Sequence, residues 1–552
     1  MLQDFPLTDL QFLIEQNKAL IEQNKALVAE NKQLRNENQA LLKRLDLALN
    51  KIAQQEEEIA KLKEEIARLK GQKPRPKIPP SILEGPKSKR GPSSSMTRHQ
   101  PDHCKTSACL IIHETIRVKA QNVPKEAVFK GFQSYTIQEL ILKPHNTRYE
   151  LERWRLPDGQ YLTARLPEKP VGHYGPKLVA YLLHQYYGCR VTEPLLLAQL
   201  KEIGIRISAG QLSHLLLSSC PSFHQEKDRL LPAGLFATRQ IQADDTGARH
   251  AGRNGYSTVI GNRYFTSITS TCTKNRMNFL ALLHGASPKY LVNQDVMEYL
   301  NRVYPNSTFK GPWMLMGYNR LMDEKQWQQF LRSFGIQSQQ ELKYLTEAAL
   351  FASLIAHGVP KDLGVHSDDA GQFKVFAHSL CWIHEERHYR KLIACNEVFQ
   401  QAIDEVRGEI WQLYQKLQAY KVAPSPTFKQ DINRQFDALF LHYPTTMPSL
   451  KKQLLKTYAK KRGLLQVLER PDTPLHNNLM ETDAREVVVK RKISGGTRSL
   501  AGKRARDTFL SLKKTCIKLG VNFFHFLEDR LRRLFHIPPL EVLIINQAKL
   551  AH

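Results

Sequence analysis

A heptad repeat over residues 10–69 constrains the fold of this chain more than any other stretch. Nine heptads follow one another without a proline or a glycine, which is typical of a coiled coil. Leucine dominates the d positions, and four successive a positions are asparagine: Leu13, Leu20, Leu27, Leu34, Leu41; Asn17, Asn24, Asn31, Asn38. Asparagine at a weakens the apolar seam but favours a parallel, in-register dimer. We therefore predict an N-terminal parallel coiled coil, in preference to a long solvated helix folded back on the protein.

The composition indicates a polyanionic partner and an interior compartment. Of 552 residues, 80 are Lys or Arg and 53 are Asp or Glu, which gives a net charge of +27. Such an excess is typical of nucleic-acid binding. The eight cysteines are scattered, which suits a reducing compartment. Because no signal pattern and no bilayer-length apolar run occurs, we expect a soluble, cytoplasmic protein associated with the nucleoid, with no membrane partner.

Three acidic stretches predict a metal-dependent site. Asp244 follows a strand pattern, Asp368 and Asp369 follow a second short strand pattern, and Glu481 lies in a helical pattern rich in basic residues. Carboxylates at strand ends suit a ligand site, although the pair at 368 and 369 alone could equally cap the next helix. Together the three acids make a hard-oxygen site for Mg²⁺ or Mn²⁺. Two such ions clamp the oxygens of a phosphoryl displacement.

The same stretches resemble the Asp-Asp-Glu triad of the transposases of the insertion sequence 66 family. Asn477-Asn478-x-x-Glu481, followed by Arg485 and by Arg491-Lys492, matches that family's third-carboxylate motif. Residues 368–373 resemble the Asp-Asn-Gly-Pro-Glu-Phe pattern of integrases, which singles out Asp368 as the ligand rather than Asp369. Residues 242–246 resemble an Ala-Asp-Glu-Thr motif and single out Asp244. One departure is Thr482, where the family usually has Arg.

The resemblance implies a DNA transposase with a ribonuclease H-like α/β core. Asp244, Asp368 and Glu481 would be its catalytic residues and would bind Mg²⁺ or Mn²⁺, as two ions. Its partners would be the terminal inverted repeats of its own element, target DNA, a second copy of the chain and accessory proteins of the same element. Water would cut the element end, and the freed 3′-hydroxyl would attack target DNA.

Two other functions stay open at this stage. One is a sequence-specific DNA-binding repressor with an inactive core, which the three intact carboxylates argue against. The other is a metal-dependent nuclease that cuts DNA without strand transfer, and the residues do not separate it from a transposase.

Composition and pattern divide the chain into six predicted segments. They are a coiled coil (1–70), a basic Pro- and Ser-rich linker (71–103), a small module containing a β-hairpin (104–170), a helical region (171–232), the catalytic core with helical insertions (233–484) and a basic helical C-terminal region (485–552). Zinc binding by Cys104 and Cys109 is not favoured, because Cys-x-x-Cys pairs are missing.

The helical region of residues 171–232 contains a helix, a glycine turn at Gly204 and a second capped helix, the pattern of a helix-turn-helix. If it reads DNA, Gln211 and His214 early in the second helix would face the bases. A packed helical spacer has the same turn chemistry and explains the pattern equally well.

In the catalytic core, three strands over 239–269 and a helix over 275–284 are predicted before the strand that precedes Asp368. The first two acids are 124 residues apart, and 113 residues separate Asp368 from Glu481. Both intervals are longer than such a core needs, so we predict a large helical insertion in each.

The surroundings of the acids supply further candidates. His384 and Arg387 are expected to face the active cleft, with Cys381 and Trp382 packed in the core, and Asn477 and Asn478 are expected to support the site. On the Glu481 helix, Arg485 and Lys492 share the face of the acid, whereas Met480, Ala484 and Val487 form a stripe predicted to pack on the sheet. We predict DNA contacts by Arg485, Arg491 and Lys492, although a solvated basic face would carry the same residues.

Overall fold

The computed structural model describes residues 111–166 and 173–550, apart from gaps at 120–123, 125–126, 131, 219–220, 286 and 306–318, together with a few positions between 15 and 33. Most of the predicted coiled coil, the linker, Cys104 and Cys109 therefore lie outside the described residues. The positions described within 20–25 are helical and exposed. The coiled coil stays a prediction.

The chain divides into two compact units, residues 1–137 and 138–552. In the first unit the described residues from 111 onward carry no regular secondary structure, and Phe129 and Phe132 meet edge to face with centroids 5.2 Å apart. The second unit starts with a small antiparallel hairpin of β1 (Arg153–Arg155) and β2 (Tyr161–Thr163), which confirms the hairpin predicted near this position.

A five-stranded mixed sheet lies at the centre of the second unit. Its strands are β3 (Gln240–His250), β4 (Arg253–Gly261), β5 (Thr266–Thr271), β8 (Gly364–Ser367) and β9 (Ala377–Leu380), and a separate pair is formed by β6 (Tyr290–Leu291) and β7 (Leu321–Met322). The order is β5-β4-β3-β8-β9. Strands β3, β4 and β5 are antiparallel, whereas β8 and β9 run parallel to β3. The three strands predicted for the core and the fourth before Asp368 are confirmed.

The β3–β4 turn shows why the chain reverses there. Ala251 and Gly252 both have positive φ angles, 47° and 77°. Two consecutive left-handed residues give the type I′ turn whose twist matches that of antiparallel strands. The tight turn keeps β3 and β4 in register along nine residue pairs, from Gln242 opposite Gly261 to His250 opposite Arg253.

Helices surround the sheet. In chain order they are α1 Pro176–Leu183, α2 Glu193–Glu202, α3 Ala209–Ser218, α4 Pro221–Ala237, α5 Arg276–His284, α6 Gln294–Val303, α7 Glu324–Ser333, α8 Gln339–Ala356, α9 Trp382–Arg390, α10 Glu397–Val422, α11 Pro426–Phe440, α12 Pro448–Tyr458, α13 Lys461–Leu464, α14 Asn478–Ser494, α15 Leu500–Lys518, α16 Phe523–Arg532 and α17 Leu540–Leu550. No described helix is long and apolar enough to cross a membrane.

Both predicted insertions are helical. Helices α6 to α8 fill most of the described interval between β5 and β8, and α9 to α13 fill the interval between β9 and α14. The second insertion has an apolar core of its own, in which Trp382 packs near Phe436 and Phe440. The architecture is therefore a mixed α/β core with mostly helical content and helical insertions.

Helices α2 and α3 form the predicted helix–turn–helix arrangement. Thr192 precedes α2 in extended backbone, Gly204 has a φ of +89° after its last turn, and Ser208 Oγ accepts the Gln211 N–H at 3.2 Å. Leu212, Leu215 and Leu216 bury one face of α3. Local sequence signals thus fix the turn, whereas DNA reading by this helix is a separate prediction.

Candidate active site

The parallel register of β3 and β8 brings two acids together. Gln242 of β3 is paired with His366 of β8. Asp244 lies two residues after Gln242, and Asp368 lies two residues after His366. Side chains two residues apart point to the same face of a strand. The two carboxylates therefore lie side by side on neighbouring strands, Asp368 directly after the end of β8 and Asp244 within β3, which continues to His250.

Asn477 secures the helix that carries the third acid. This residue is fully buried directly before α14, and its Nδ2 donates to the Ala243 carbonyl oxygen at 2.9 Å. Its backbone N–H points to Cys381 Sγ at 3.3 Å, and its carbonyl accepts the Glu481 N–H at 3.0 Å. Asn477 thus links β3, one residue before Asp244, to the first turn of the Glu481 helix.

The stripe predicted on α14 is confirmed, because Met480, Ala484 and Val487 pack with Val259 and Ile268 of the sheet. The neighbouring face of the first turn is left for Glu481. Helix docking through one apolar stripe therefore determines where the third carboxylate points.

The charges of the three acids interact directly. Burial raises the pKa of Asp244 to about 7, and the negative charges of Asp368 and, to a smaller extent, Glu481 add to the rise. Glu481 Oε1 is buried and has no hydrogen-bond partner among the described residues. Within the described residues neither Asp244 nor Asp368 has an ion-pair partner, and such a partly neutralised cluster of carboxylates fits a divalent cation with hard-oxygen preference, such as Mg²⁺ or Mn²⁺.

This raised pKa predicts a stability change in the absence of divalent metal. The unfolded Asp244 titrates near 3.8 and the folded one near 7, so ionisation opposes folding and stability falls as pH rises between these values. Asp244→Asn should therefore stabilise the metal-free protein at pH 8 by about 1–3 kcal/mol, with little effect at pH 4. Urea unfolding in EDTA at the two pH values measures this difference.

Asp369→Asn is the matched control with the opposite sign. Burial opposes ionisation of Asp369, but hydrogen bonds from Lys374 and Lys460 hold its pKa below the usual range. Its ionised form therefore stabilises the fold, and the Asn variant should lose stability at pH 8. Destabilisation of both variants at pH 8 would contradict the charge repulsion assigned to Asp244.

His384 and Arg387 lie beside Glu481. His384 Nε2 lies 3.7 Å from Glu481 Oε1, and the Arg387 guanidinium lies 3.5 Å from Glu481 Oε2. Arg387 also donates to His384 Nε2 at 3.2 Å. Burial lowers the pKa of His384 despite the nearby Glu481 charge. The imidazole is therefore neutral at physiological pH and acts here as a hydrogen-bond acceptor.

Cys381 packs behind these side chains. It is 2% exposed beside the buried Trp382, in agreement with the expected core position of both. Ligand atoms of Cys381, His384 and Glu481 lie within 4.8 Å of one another. Glu481 therefore has the carboxylates of Asp244 and Asp368 on one side and the Cys381 thiol and the His384 imidazole on the other.

Asp245 and Asp369, which directly follow Asp244 and Asp368, are held by hydrogen bonds and ion pairs. Asp245 accepts hydrogen bonds from Thr258 Oγ1 at 2.5 Å and from Gln372 Nε2 at 2.8 Å. Asp369 forms ion pairs with Lys374 at 2.7 Å and Lys460 at 2.9 Å. Sequence reasoning missed Gln372, Lys374 and Lys460. Only Gln372 and Lys374 stand near a recognised motif, whereas Lys460 is distant in sequence and carries no signal.

The other candidate residues lie on α14 and α3. Arg485, Lys492 and Asn478 are exposed on α14. Arg491 is only partly exposed, because its guanidinium donates to the Gly247 carbonyl within β3. On α3, Gln211 is half-buried and His214 is exposed.

Comparison with known proteins places the site in context. Residues 367–505 match the model of a family described as "Transposase IS66 family", and this stretch includes Asp368 and Glu481. "Uncharacterized protein y4jO" of Sinorhizobium fredii (strain NBRC 101917 / NGR234) is 39% identical over 304 residues. That match covers 55% of this chain and 94% of the relative.

Proposed function

We propose that this chain, which belongs to the transposase IS66 family, is an Asp-Asp-Glu transposase that cuts DNA at the ends of its insertion sequence and joins them to target DNA. The observation that carries the proposal is the electrostatic coupling of Asp244 to Asp368 and Glu481. These acids come from β3, from the end of β8 and from α14, and they meet although more than a hundred residues separate each from the next.

Asp244, Asp368 and Glu481 would hold the divalent cations, Mg²⁺ or Mn²⁺, as two ions. When bound, such ions supply Lewis-acid stabilisation of the oxygens that attack and leave in phosphoryl displacement. The chain itself supplies rigidity: Asn477 fixes α14 to β3, and Gln372 joins the loop after Asp368 to Asp245. Neutral His384 and cationic Arg387 restrict the rotamers of Glu481 from its other side.

The strand order supports a ribonuclease H-like core. Three antiparallel strands and helix α5 come first, and after the helical insertion β8 lies parallel to β3, as such a core would require; β9 adds a fifth strand parallel to β8. Active-site acids at the first and fourth strands and on a later helix fit the same plan. The five-stranded sheet gives this proposal its support, since a different strand order would separate Asp244 from Asp368.

DNA is the proposed partner, as terminal inverted repeats and as target. The net charge of +27 favours it, and exposed Arg485 and Lys492 lie one and three turns beyond Glu481 on α14. Arg491, also on α14, would contribute from beside β3, where its guanidinium donates to the Gly247 carbonyl. We extend the proposal to Gln211 and His214 on α3, which lie at the start of the second helix of the helix–turn–helix pair.

The coiled coil is the proposed dimer contact. Leu20, a d position of the heptads, is 54% exposed in the single chain. A coiled-coil partner would cover such side chains. Deleting residues 1–70 should lower the oligomeric state in light scattering and impair the pairing of two element ends. An unchanged oligomeric state would place the dimer contact elsewhere.

A product assay tests the proposed function against its rivals. Purified protein is incubated with Mg²⁺, a labelled duplex carrying the terminal repeat of its insertion sequence, and target plasmid. A transposase gives both nicked ends and joined products. Nicked ends without joined products would indicate a nuclease, and tight binding without any product would indicate a repressor with an inactive core. Either result would overturn the proposal.

A further inference from the structure

A cleft of about 800 Å³ opens directly beside Asp368. Its inner end contains the acid and the Cys381–His384 segment. Its walls come from α9, from the end of α12 and from the residues after them, and they are rich in cationic side chains: Lys374, Arg387, Lys391, Lys456, Lys460. The second helical insertion therefore forms one wall of the space next to the three carboxylates.

The cations of the cleft fall into two groups. At the inner end, Lys374 and Lys460 are neutralised by Asp369, and Lys460 also pairs with Glu385 at 2.9 Å. At the outer end, Lys391 and Lys456 are exposed, and within the described ranges neither has an ion pair or a hydrogen bond from its side chain. Uncompensated positive charge thus begins where the acidic site ends.

The wall is held rigidly to the site. Thr457 Oγ1 donates to Glu385 Oε1 at 2.6 Å, and the Tyr389 hydroxyl lies 2.6 Å from Thr457 Oγ1. Lys460 connects this buried network to Asp369, the residue after Asp368. Helices α9 and α12 are therefore fixed relative to the carboxylates. A groove that is fixed in this way can bind a ligand with little loss of conformational entropy in the protein.

We infer that this cleft binds the DNA strand that is cut, with Lys391 and Lys456 contacting backbone phosphates next to the scissile one. The inference rests on the proposed function and adds the strand-binding surface to it. The inner end of the cleft contains Asp368, which is proposed to act on the reacting phosphate. The DNA strand that enters the cleft is therefore the strand that is cut and not its complement. Phosphate contacts dominate affinity in protein–DNA complexes and position the nucleic acid without reading sequence.

Binding measurements compare two double variants of equal charge. Lys391→Ala/Lys456→Ala removes the outer cations of the cleft, whereas Lys451→Ala/Lys452→Ala removes two exposed lysines of α12 that do not line it. Fluorescence anisotropy with a terminal-repeat duplex in EDTA gives the affinity at several salt concentrations. The cleft variant should flatten the slope of log K against log salt by about 1.4–1.8 units. The control should leave the slope within about half a unit of wild type.

Cross-linking locates the strand independently of affinity. A Lys456→Cys variant in which the exposed Cys189, Cys272 and Cys395 are replaced by Ser is reacted with duplexes that carry a thiol tether on one phosphate, either near the cut on the cleaved strand or at the same position on its complement. The parent protein with Lys456 intact shows any cross-link to the remaining cysteines. Cross-linking is expected with the cleaved strand only. Equal slopes for the two double variants, or a cross-link to the complement alone, would overturn the inference.

Neither measurement requires cleavage, so the proposed reaction and the proposed strand-binding cleft can be refuted independently of each other. If wild-type protein gives no product but the variants show the expected slopes and cross-link, the proposed reaction is refuted and the strand-binding cleft stands. Normal cleavage by wild type together with unchanged binding by the cleft variant would refute the cleft and leave the reaction.

Discussion

Asp368→Asn should lower the rate of DNA cleavage by about three orders of magnitude or more, equivalent to a rise of about 4 kcal/mol in the barrier. The amide keeps the size of the side chain but removes a charged oxygen from the cluster that would hold the metal ions. Single-turnover cleavage of a terminal-repeat duplex in Mg²⁺ measures the loss. DNA binding in EDTA should stay within about threefold, because phosphate contacts elsewhere dominate it.

Asp369→Asn is the control at the next position. Its carboxylate is engaged by Lys374 and Lys460, so its loss should disturb the loop without removing a metal ligand. Cleavage should fall by about 10–100-fold, the range expected for a residue that orients a ligand. If Asp368→Asn cleaves as well as Asp369→Asn, the ligand assignment at this strand end is wrong. Asp244→Asn and Glu481→Gln should behave like Asp368→Asn.

The largest effect on stability is expected at Asp483, two residues after the third acid. Asp483 is 2% exposed, and it pairs with Lys518 at 2.7 Å and Lys514 at 3.2 Å. It also accepts a hydrogen bond from Thr266 Oγ1 of β5 at 2.6 Å. These contacts attach α14 to both β5 and α15. Asp483→Ala should therefore destabilise the fold by about 3–5 kcal/mol, the cost of leaving a buried cation unpaired. Urea unfolding measures it.

Lys518 supplies the control for this buried pair. Burial already lowers the pKa of Lys518 to about 8, although Asp483 counteracts the shift. Replacing Lys518 by Met in the Asp483→Ala background removes the unpaired charge, so part of the lost stability should return. If the double variant is less stable than Asp483→Ala alone, the penalty comes from lost packing and not from an isolated charge.

Local pattern was sufficient to predict the elements that carry the site. The strand before Asp244 alternates and ends in acids, and the apolar stripe of Met480, Ala484 and Val487 indicates a helix docked by one face. Both features depend on neighbours in sequence. The fold confirms the docked helix and the strand, except that β3 runs through Asp244 to His250 and does not end at the acids. The mixed α/β core with helical insertions was predictable for the same reason.

Contacts between distant segments could not be predicted in this way. Asn477 was expected to support the site, but its bond to Ala243 joins residues 234 positions apart. Lys460 reaches Asp369 from the second insertion, and no local pattern marks it. Arg491 was predicted to contact DNA, yet its guanidinium donates to the Gly247 carbonyl and is partly covered. Each of these contacts depends on how the insertions fold back onto the sheet.

Crystals of the full chain grown with Mn²⁺ test the central claim most directly, because anomalous scattering locates the ion independently of activity. The expected result is density bounded by carboxylate oxygens of Asp244, Asp368 and Glu481, at Mn–O distances of about 2.1–2.2 Å. Ion density at Cys381 and His384 with neither aspartate coordinated would contradict a three-carboxylate site, and so would Mn²⁺ bound only at Asp369.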